Sequence, residues 1–137
     1  MVDLSVEIAG VEFKNPVIVG AGTPTMNAEK MIRCMEAGAG GLVAKTVTYD
    51  PMHQRQPRPR FHIVHPKEVY ASRYFSLYST ELGADLRPEE WVKEIQRAKE
   101  VAKRHRSVLI ASVAGRNYGE WAKLAGMMEE AGAEMIE

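Results

Sequence analysis

The chain has 137 residues, enough for one ordinary domain with a core, and its 45% hydrophobic content is that of a globular protein. Eighteen basic residues balance eighteen acidic ones, so no net field favours nucleic acid or an anionic membrane surface. A single cysteine, Cys34, excludes an internal disulfide and suits a reducing compartment.

The opening MVDLSVEIAG lacks the basic-then-apolar order of a signal peptide, and no run reaches the roughly 18 apolar residues of a membrane span, so a soluble, cytoplasmic protein is expected. Leu4, Val6, Ile8, Val11 and Phe13 alternate with polar residues around Ala9-Gly10, which predicts a hairpin. After Asn15-Pro16, the run VIVGAG (17–22) reads as a short strand. Asn27 is a candidate N-cap, with Ala28, Met31, Ile32 and Met35 on one helical face and Gly38 as the stop. GLVAKTVT (41–48) is apolar on both faces at its start, the mark of a strand covered on two sides. Residues 49–86 crowd prolines, histidines and arginines into a long loop without a clean period. Pro88, Glu89 and Glu90 suit a helix start, Trp91, Val92, Ile95, Ala98 and Ala102 form its inner face, and Lys103, Arg104 and Arg106 suit its end. SVLIASVAG (107–115) is the next strand. Asn117 with Glu120 resembles a capping box, Trp121, Leu124, Met128 and Ala131 form a buried stripe, and AEMIE (133–137) begins a further strand.

Hairpin, then β-α-β-loop-α-β-α-β, is a parallel α/β pattern. MEAGAGGLVA (35–44) and MMEEAGAEMI (127–136) repeat one unit of helix end, glycine stop and strand, which fits a barrel as well as a doubly wound sheet. Four strands leave two raw edges, and a complete barrel takes about 250 residues, so a piece of a longer chain is expected.

In parallel α/β folds the ligand lies beyond the carboxyl ends of the strands. Here those ends carry Gly20-Ala21-Gly22, then Lys45, Thr46 and Thr48, then Ala114-Gly115-Arg116-Asn117. Small residues let a flat ligand approach the backbone, and Lys45 offers a cation with three donors. Taken alone, Gly20 and Gly22 are better explained by a tight βα turn without ligand, whereas for Lys45 a structural ion pair and a ligand contact stay equally open. Gly20-Ala21-Gly22 is not a dinucleotide fingerprint, because Thr25 holds the third glycine's place. Gly38, Gly40 and Gly41 precede a strand and are a helix stop rather than a phosphate cradle. His62 and His65 lack a cysteine partner for a metal site, so no metal is expected. Arg55, Arg58 and Arg60 could form an anion patch but as exposed loop arginines read first as solvated charges, and Cys34 reads as buried and inert.

Several segments, in order, resemble one family. DLSVEIAGVEFKNPVIVGAG, GGLVAKTVT, QPRPRF and LIASVAGRNYGEWAKLAGMMEEAGAEMIE are similar to the opening hairpin, second strand, Pro-Arg loop and third βα unit of class 1 dihydroorotate dehydrogenases and the pyrimidine-reducing domain of dihydropyrimidine dehydrogenases. The resemblance implies an FMN-binding (β/α)8 barrel. Residues 1–137 would be its N-terminal part, with the hairpin at 1–15 and the first βα units at 16–137, about four strands in all. It implies that Gly20, Ala21 and Gly22 lie against the flavin, that Lys45 contacts flavin and substrate, and that Thr46 hydrogen-bonds the flavin ring. The chemistry implied is hydride exchange between flavin and a small cyclic substrate, with the acid/base residue beyond Glu137, so that this segment alone should not catalyse. The family's asparagine after the Pro-Arg loop is missing from SRYFSLYSTELGAD (72–85); Ser76 and Ser79 are the candidate substitutes, which leaves room for a substrate other than dihydroorotate or uracil. The partners implied are the small-molecule substrate, a second copy in a homo-oligomer, and an iron–sulfur or NAD-linked electron-transfer subunit, with neither nucleic acid nor membrane. Two other readings compete: a barrel lyase or aldolase using Lys45 as a Schiff base, and a non-catalytic barrel subunit.

Overall fold

A computed structural model describes residues 2–55, 58–67, 71, 74 and 76–137. Strands β1 (Val6–Ile8) and β2 (Val11–Phe13) form the expected antiparallel hairpin. Its two turn residues, Ala9 and Gly10, both sit at positive φ (51° and 80°), the turn whose twist matches a hairpin. The central sheet is parallel, in the order β3 (Ile18–Val19), β4 (Gly41–Thr48), β7 (Val108–Ala114), β8 (Met135–Ile136). The first of these strands is shorter than the expected 17–22, because Gly20, Ala21 and Gly22 turn away from the ladder at its carboxyl end. Among the described residues no helix is long and apolar enough to cross a membrane.

Three helices cover one face of this sheet: α1 (Ala28–Glu36), α3 (Pro88–His105) and α4 (Tyr118–Glu130). A fourth, α2 (Pro51–Gln54), is a single turn in the loop after β4. The main core joins Leu42, Ala44, Val47, Leu109, Ala111 and Val113 of the sheet to Met31, Met35, Trp91, Ile95, Leu124 and Met128 of the three helices. Each of these side chains larger than alanine contributes roughly 1.5–3 kcal/mol by leaving water. The opposite face carries Val43, Val108 and Ile110, covered by Phe13 of the hairpin. Strands in chain order with all their helices on one face are laid out like consecutive units of a barrel wall; a doubly wound sheet carries helices on both faces.

The hairpin is fastened at the amino ends of the strands. Asn15 donates from Nδ2 to the Gly38 carbonyl (2.9 Å) and accepts from the Val17 N–H (3.0 Å). Lys14 donates to the His105 carbonyl at the end of α3 (2.8 Å) and to Ser107 (3.2 Å). A side chain on Gly41 would meet the Phe13 ring at 2.6 Å, and one on Gly40 would collide with the Asn15 carbonyl. These glycines therefore serve close packing of the hairpin, while Gly38, at φ 103°, is the helix stop.

Helix starts follow local chemistry. Asn27 accepts from the Lys30 N–H (2.9 Å) and Asn117 from the Glu120 N–H (3.0 Å). The reciprocal half of the expected capping box differs: the Glu120 carboxylate reaches the N–H of Arg116 (2.9 Å), one residue earlier than the cap, because it also holds the Arg116 guanidinium. Three burial expectations are corrected. Trp121 is 44% exposed, since the first turn of α4 overhangs the end of the sheet; Leu124, Met128 and Ala131 carry the buried stripe. Ile32 is half-buried at the margin of the α1 face. Cys34 is half-buried, with its thiol donating to the Pro24 carbonyl (3.6 Å).

The loop 49–86 contains structure of its own. Besides α2, strands β5 (Phe61–Ile63) and β6 (Leu77–Ser79) pair antiparallel into an exposed ribbon. With apolar and polar residues exposed on both of its faces, the ribbon has no one-sided alternation for a periodicity argument to detect.

Candidate functional site

Parallel pairing brings the carboxyl ends of β3, β4 and β7 to one rim, and a bulge decides what β4 shows there. Ala44 pairs with Ala111 and Val47 with Val113, so Lys45 and Thr46 together stand opposite Ser112. Ala44 and Val47 both reach the helix-covered core despite their odd spacing. The extra residue frees Lys45 and Thr46 from that core: Thr46 Oγ1 lies 2.8 Å from Ser112 Oγ, and Lys45 reaches across to the loop after β6.

Lys45 is 4% exposed. Its Nζ donates to Glu81 Oε1 at 2.8 Å, and the same oxygen accepts from the Thr23 hydroxyl at 2.9 Å. These donors, Lys45 first and Thr23 second, hold the Glu81 carboxyl below its ordinary range, against a smaller opposing effect of burial. Glu81 thus ties three segments together: the turn after β3, the bulge of β4 and the loop after β6. Sequence reasoning missed it. The available signal was the lysine itself, since a cation inside a strand covered on both faces requires an anion, and Glu81 is the first carboxylate after the ribbon.

The glycines of the first strand end are not demanded by packing. A side chain at Gly20 would meet no protein atom within 4 Å, and one at Gly22 would make ordinary contacts with Pro24 (3.6 Å) and Glu81 (3.7 Å). The backbone at Gly20 is therefore open on that side, as approach of a flat ring requires. Ser79 is exposed in the ribbon, paired with Phe61, and Ser76 is half-buried, its carbonyl accepting from the Val64 N–H. Among the described residues, neither serine hydrogen-bonds to Lys45 or Glu81.

Beyond the rim a cleft of about 410 Å³ runs between the ends of β4 and β7, lined by Thr46, Thr48, Asp50, His53, Glu81, Leu82, Gly83, Ala114, Gly115 and Arg116. Two contacts flank it: His53 Nδ1 to Asp50 at 3.1 Å and the ion pair of Arg116 with Glu120 at 2.8 Å. The Met52 N–H, then His53, keep the Asp50 carboxyl low, and Arg116 does so for Glu120. Gly115 lets strand and helix meet here, because a side chain would strike Trp121 at 2.8 Å. Among the described residues no three His, Cys, Asp or Glu side chains gather to hold a metal ion. His62 and His65 lie instead against the rings of Tyr78 and Tyr74.

Comparison with known proteins finds similar dehydrogenases. No protein-family model matches the chain. The NAD-dependent dihydropyrimidine dehydrogenase subunit PreA of Escherichia coli K12 is 35% identical over 98% of this chain and 31% of its own length. The chloroplastic dihydropyrimidine dehydrogenase (NADP(+)) of Arabidopsis thaliana is 30% identical over 98% of the chain and 32% of its own length. The dihydroorotate dehydrogenase B (NAD(+)) catalytic subunit of Methanocaldococcus jannaschii is 27% identical over 92% of the chain and 38% of its own length. The chain is a relative of the dihydropyrimidine and dihydroorotate dehydrogenases. It spans about a third of the length of these curated relatives. The aligned stretch takes in 98% of the chain, so Gly20, Lys45 and Glu81 all fall inside it.

Proposed function

We propose that the chain belongs to an FMN-dependent oxidoreductase acting on the CH–CH bond of a small cyclic substrate, and that residues 1–137 form part of a single (β/α)8 barrel in a cytoplasmic enzyme. The observation that carries this reading is a nearly buried lysine, paired with a carboxylate, beside an open glycine backbone at the carboxyl rim of a parallel sheet. The donor set fits the group. Gly20, Ala21 and Gly22 would accept the ring system by backbone approach, Thr46 would offer its hydroxyl, and Lys45 would place a positive charge at an electron-rich edge. When bound, FMN supplies hydride exchange with a ring carbon of the substrate. The protein's own part is to orient: Glu81 holds the ammonium of Lys45 in place, and its carboxylate can accept from ring N–H groups of a cyclic amide. Ser76 and Ser79 remain the proposed replacements for the family's asparagine. The names of two relatives include the word subunit, which supports a partner that carries electrons to or from the site.

The lyase and non-catalytic readings have less support. A Schiff-base lysine works from a dry apolar pocket, whereas Lys45 rests on Glu81, and the relatives named above are dehydrogenases. The deciding measurement is the visible spectrum of the full-length protein purified without oxygen. Flavin bands, with FMN released on denaturation, are expected. A colourless protein that also fails to take up added FMN overturns the proposal.

A further inference from the structure

The bulge in β4 also seats one hydroxyl on another. Thr46 Oγ1 lies 2.8 Å from Ser112 Oγ, and by distance alone either oxygen could carry the shared proton. Their surroundings differ. Ser112 is 4% exposed, with β4 on one side of its strand and β8 on the other, whereas Thr46 is half-buried and lines the cleft. A hydroxyl has one proton to give and two lone pairs with which to accept. Among the described residues Thr46 is the hydrogen-bond partner of the Ser112 side chain, and so little exposure leaves scant room for water to replace it. A buried proton without an acceptor forfeits its hydration outright, whereas an idle lone pair on an oxygen already bonded costs less. Ser112 therefore donates to Thr46, and the proton of Thr46 is turned away from Ser112.

We propose that Ser112 is a positioning residue for Thr46. It fixes the Thr46 hydroxyl as a donor into the site, so the ligand group met there is an acceptor, a ring carbonyl oxygen or a ring nitrogen lone pair. On the flavin reading, on which this role rests, that acceptor belongs to the ring system of FMN. Ser112 acts in two ways. A hydroxyl whose oxygen already accepts a bond is a stronger donor than a lone one. A hydroxyl whose rotation is already fixed also loses less freedom when the ligand arrives. The neighbouring Lys45 is held from another direction by Glu81, so one bulge presents two donors, each steadied by a different segment. Both hydroxyls come from strands that pair with each other, and the contact between them is an internal one.

The test is a double-mutant cycle on FMN binding by the full-length protein stripped of flavin. Ser112→Ala, Thr46→Val and the double variant are compared with wild type, with dissociation constants read from the quenching of flavin fluorescence. Each single change is expected to weaken binding about tenfold. In the Thr46→Val background, Ser112→Ala should add less than about a twofold loss, because no hydroxyl remains for the serine to direct. Equal losses in both backgrounds would mean a merely structural serine and overturn the proposal, as would unchanged binding by Ser112→Ala. Ser112→Cys, close to serine in shape and a weak donor, should bind between wild type and Ser112→Ala; binding no better than the alanine variant refutes the donor role. Should Ser112→Ala fail to melt cooperatively, Ser112→Cys takes its place in the cycle. Wild type that takes up no FMN overturns the flavin reading and this role with it, whereas wild-type binding with additive losses overturns the role alone.

Discussion

Lys45 has little water of its own, and Glu81 stands in for it. Removing that carboxylate leaves a cation in a buried place, at a cost of about 1–2 kcal/mol once the partly exposed glutamate is discounted for solvent. Glu81→Gln is expected to lower the urea midpoint accordingly and, in the full-length enzyme, to reduce kcat/KM at least about tenfold, since the lysine loses its fixed position. The pH dependence has a definite sign. Glu81 titrates below its ordinary 4.5 in the folded chain, so its contribution is complete above that value and is lost as pH falls through the lower folded one. Urea midpoints of wild type and Glu81→Gln should differ by a constant amount well above 4.5 and draw together as pH falls below it. A gap that does not narrow as the pH falls would refute the ion pair's role. Gly20 separates binding from folding: with nothing within 4 Å of an added methyl, Gly20→Ala should change melting by no more than about 0.5 kcal/mol in the flavin-free protein. On the proposed flavin reading, the same variant should weaken FMN retention about tenfold, measured by flavin fluorescence, because the methyl occupies the space a flat ring needs.

At the scale of elements, the hairpin and the sheet meet through missing side chains. Gly41→Ala pushes a methyl into the Phe13 ring and should cost about 1–3 kcal/mol in chemical denaturation, with Phe13→Leu recovering part of the loss. If Phe13→Leu only adds to the damage, the contact is misassigned. The same scale shows what sequence reasoning can reach. β4 at 41–48, α3 from Pro88 and the caps at Asn27 and Asn117 were legible because each rests on local chemistry: an apolar run, a proline in the first turn, a side-chain oxygen over a free N–H. The ribbon was not, because pairing Phe61 with Ser79 depends on where an intervening loop travels. Trp121 misled, because helical period reports the face a residue lies on and not whether the sheet extends far enough to cover it. At the rim, Lys45, Thr46 and the glycines could be chosen from strand ends alone, whereas Glu81 comes from a loop whose path periodicity does not describe.

For the whole molecule, stability should be graded from the sheet outward. β4 and β7 pair along most of their length and bury residues on both faces, while the ribbon pairs three residues in water. Amides of β4 and β7 are expected to exchange slowest, near the global limit, and those of β5 and β6 at least about a hundredfold faster. Equal protection would mean that the ribbon belongs to the same cooperative unit.

Phe13 packs against Val43, Val108 and Ile110, so the hairpin is synthesised before the wall it fills, which is finished only when β7 has been made. At typical synthesis speeds the roughly one hundred intervening residues take about 5–20 s. Throughout that interval the Phe13 ring, at the open end of the hairpin, has at most the β4 part of its seat and stays available to other apolar surfaces.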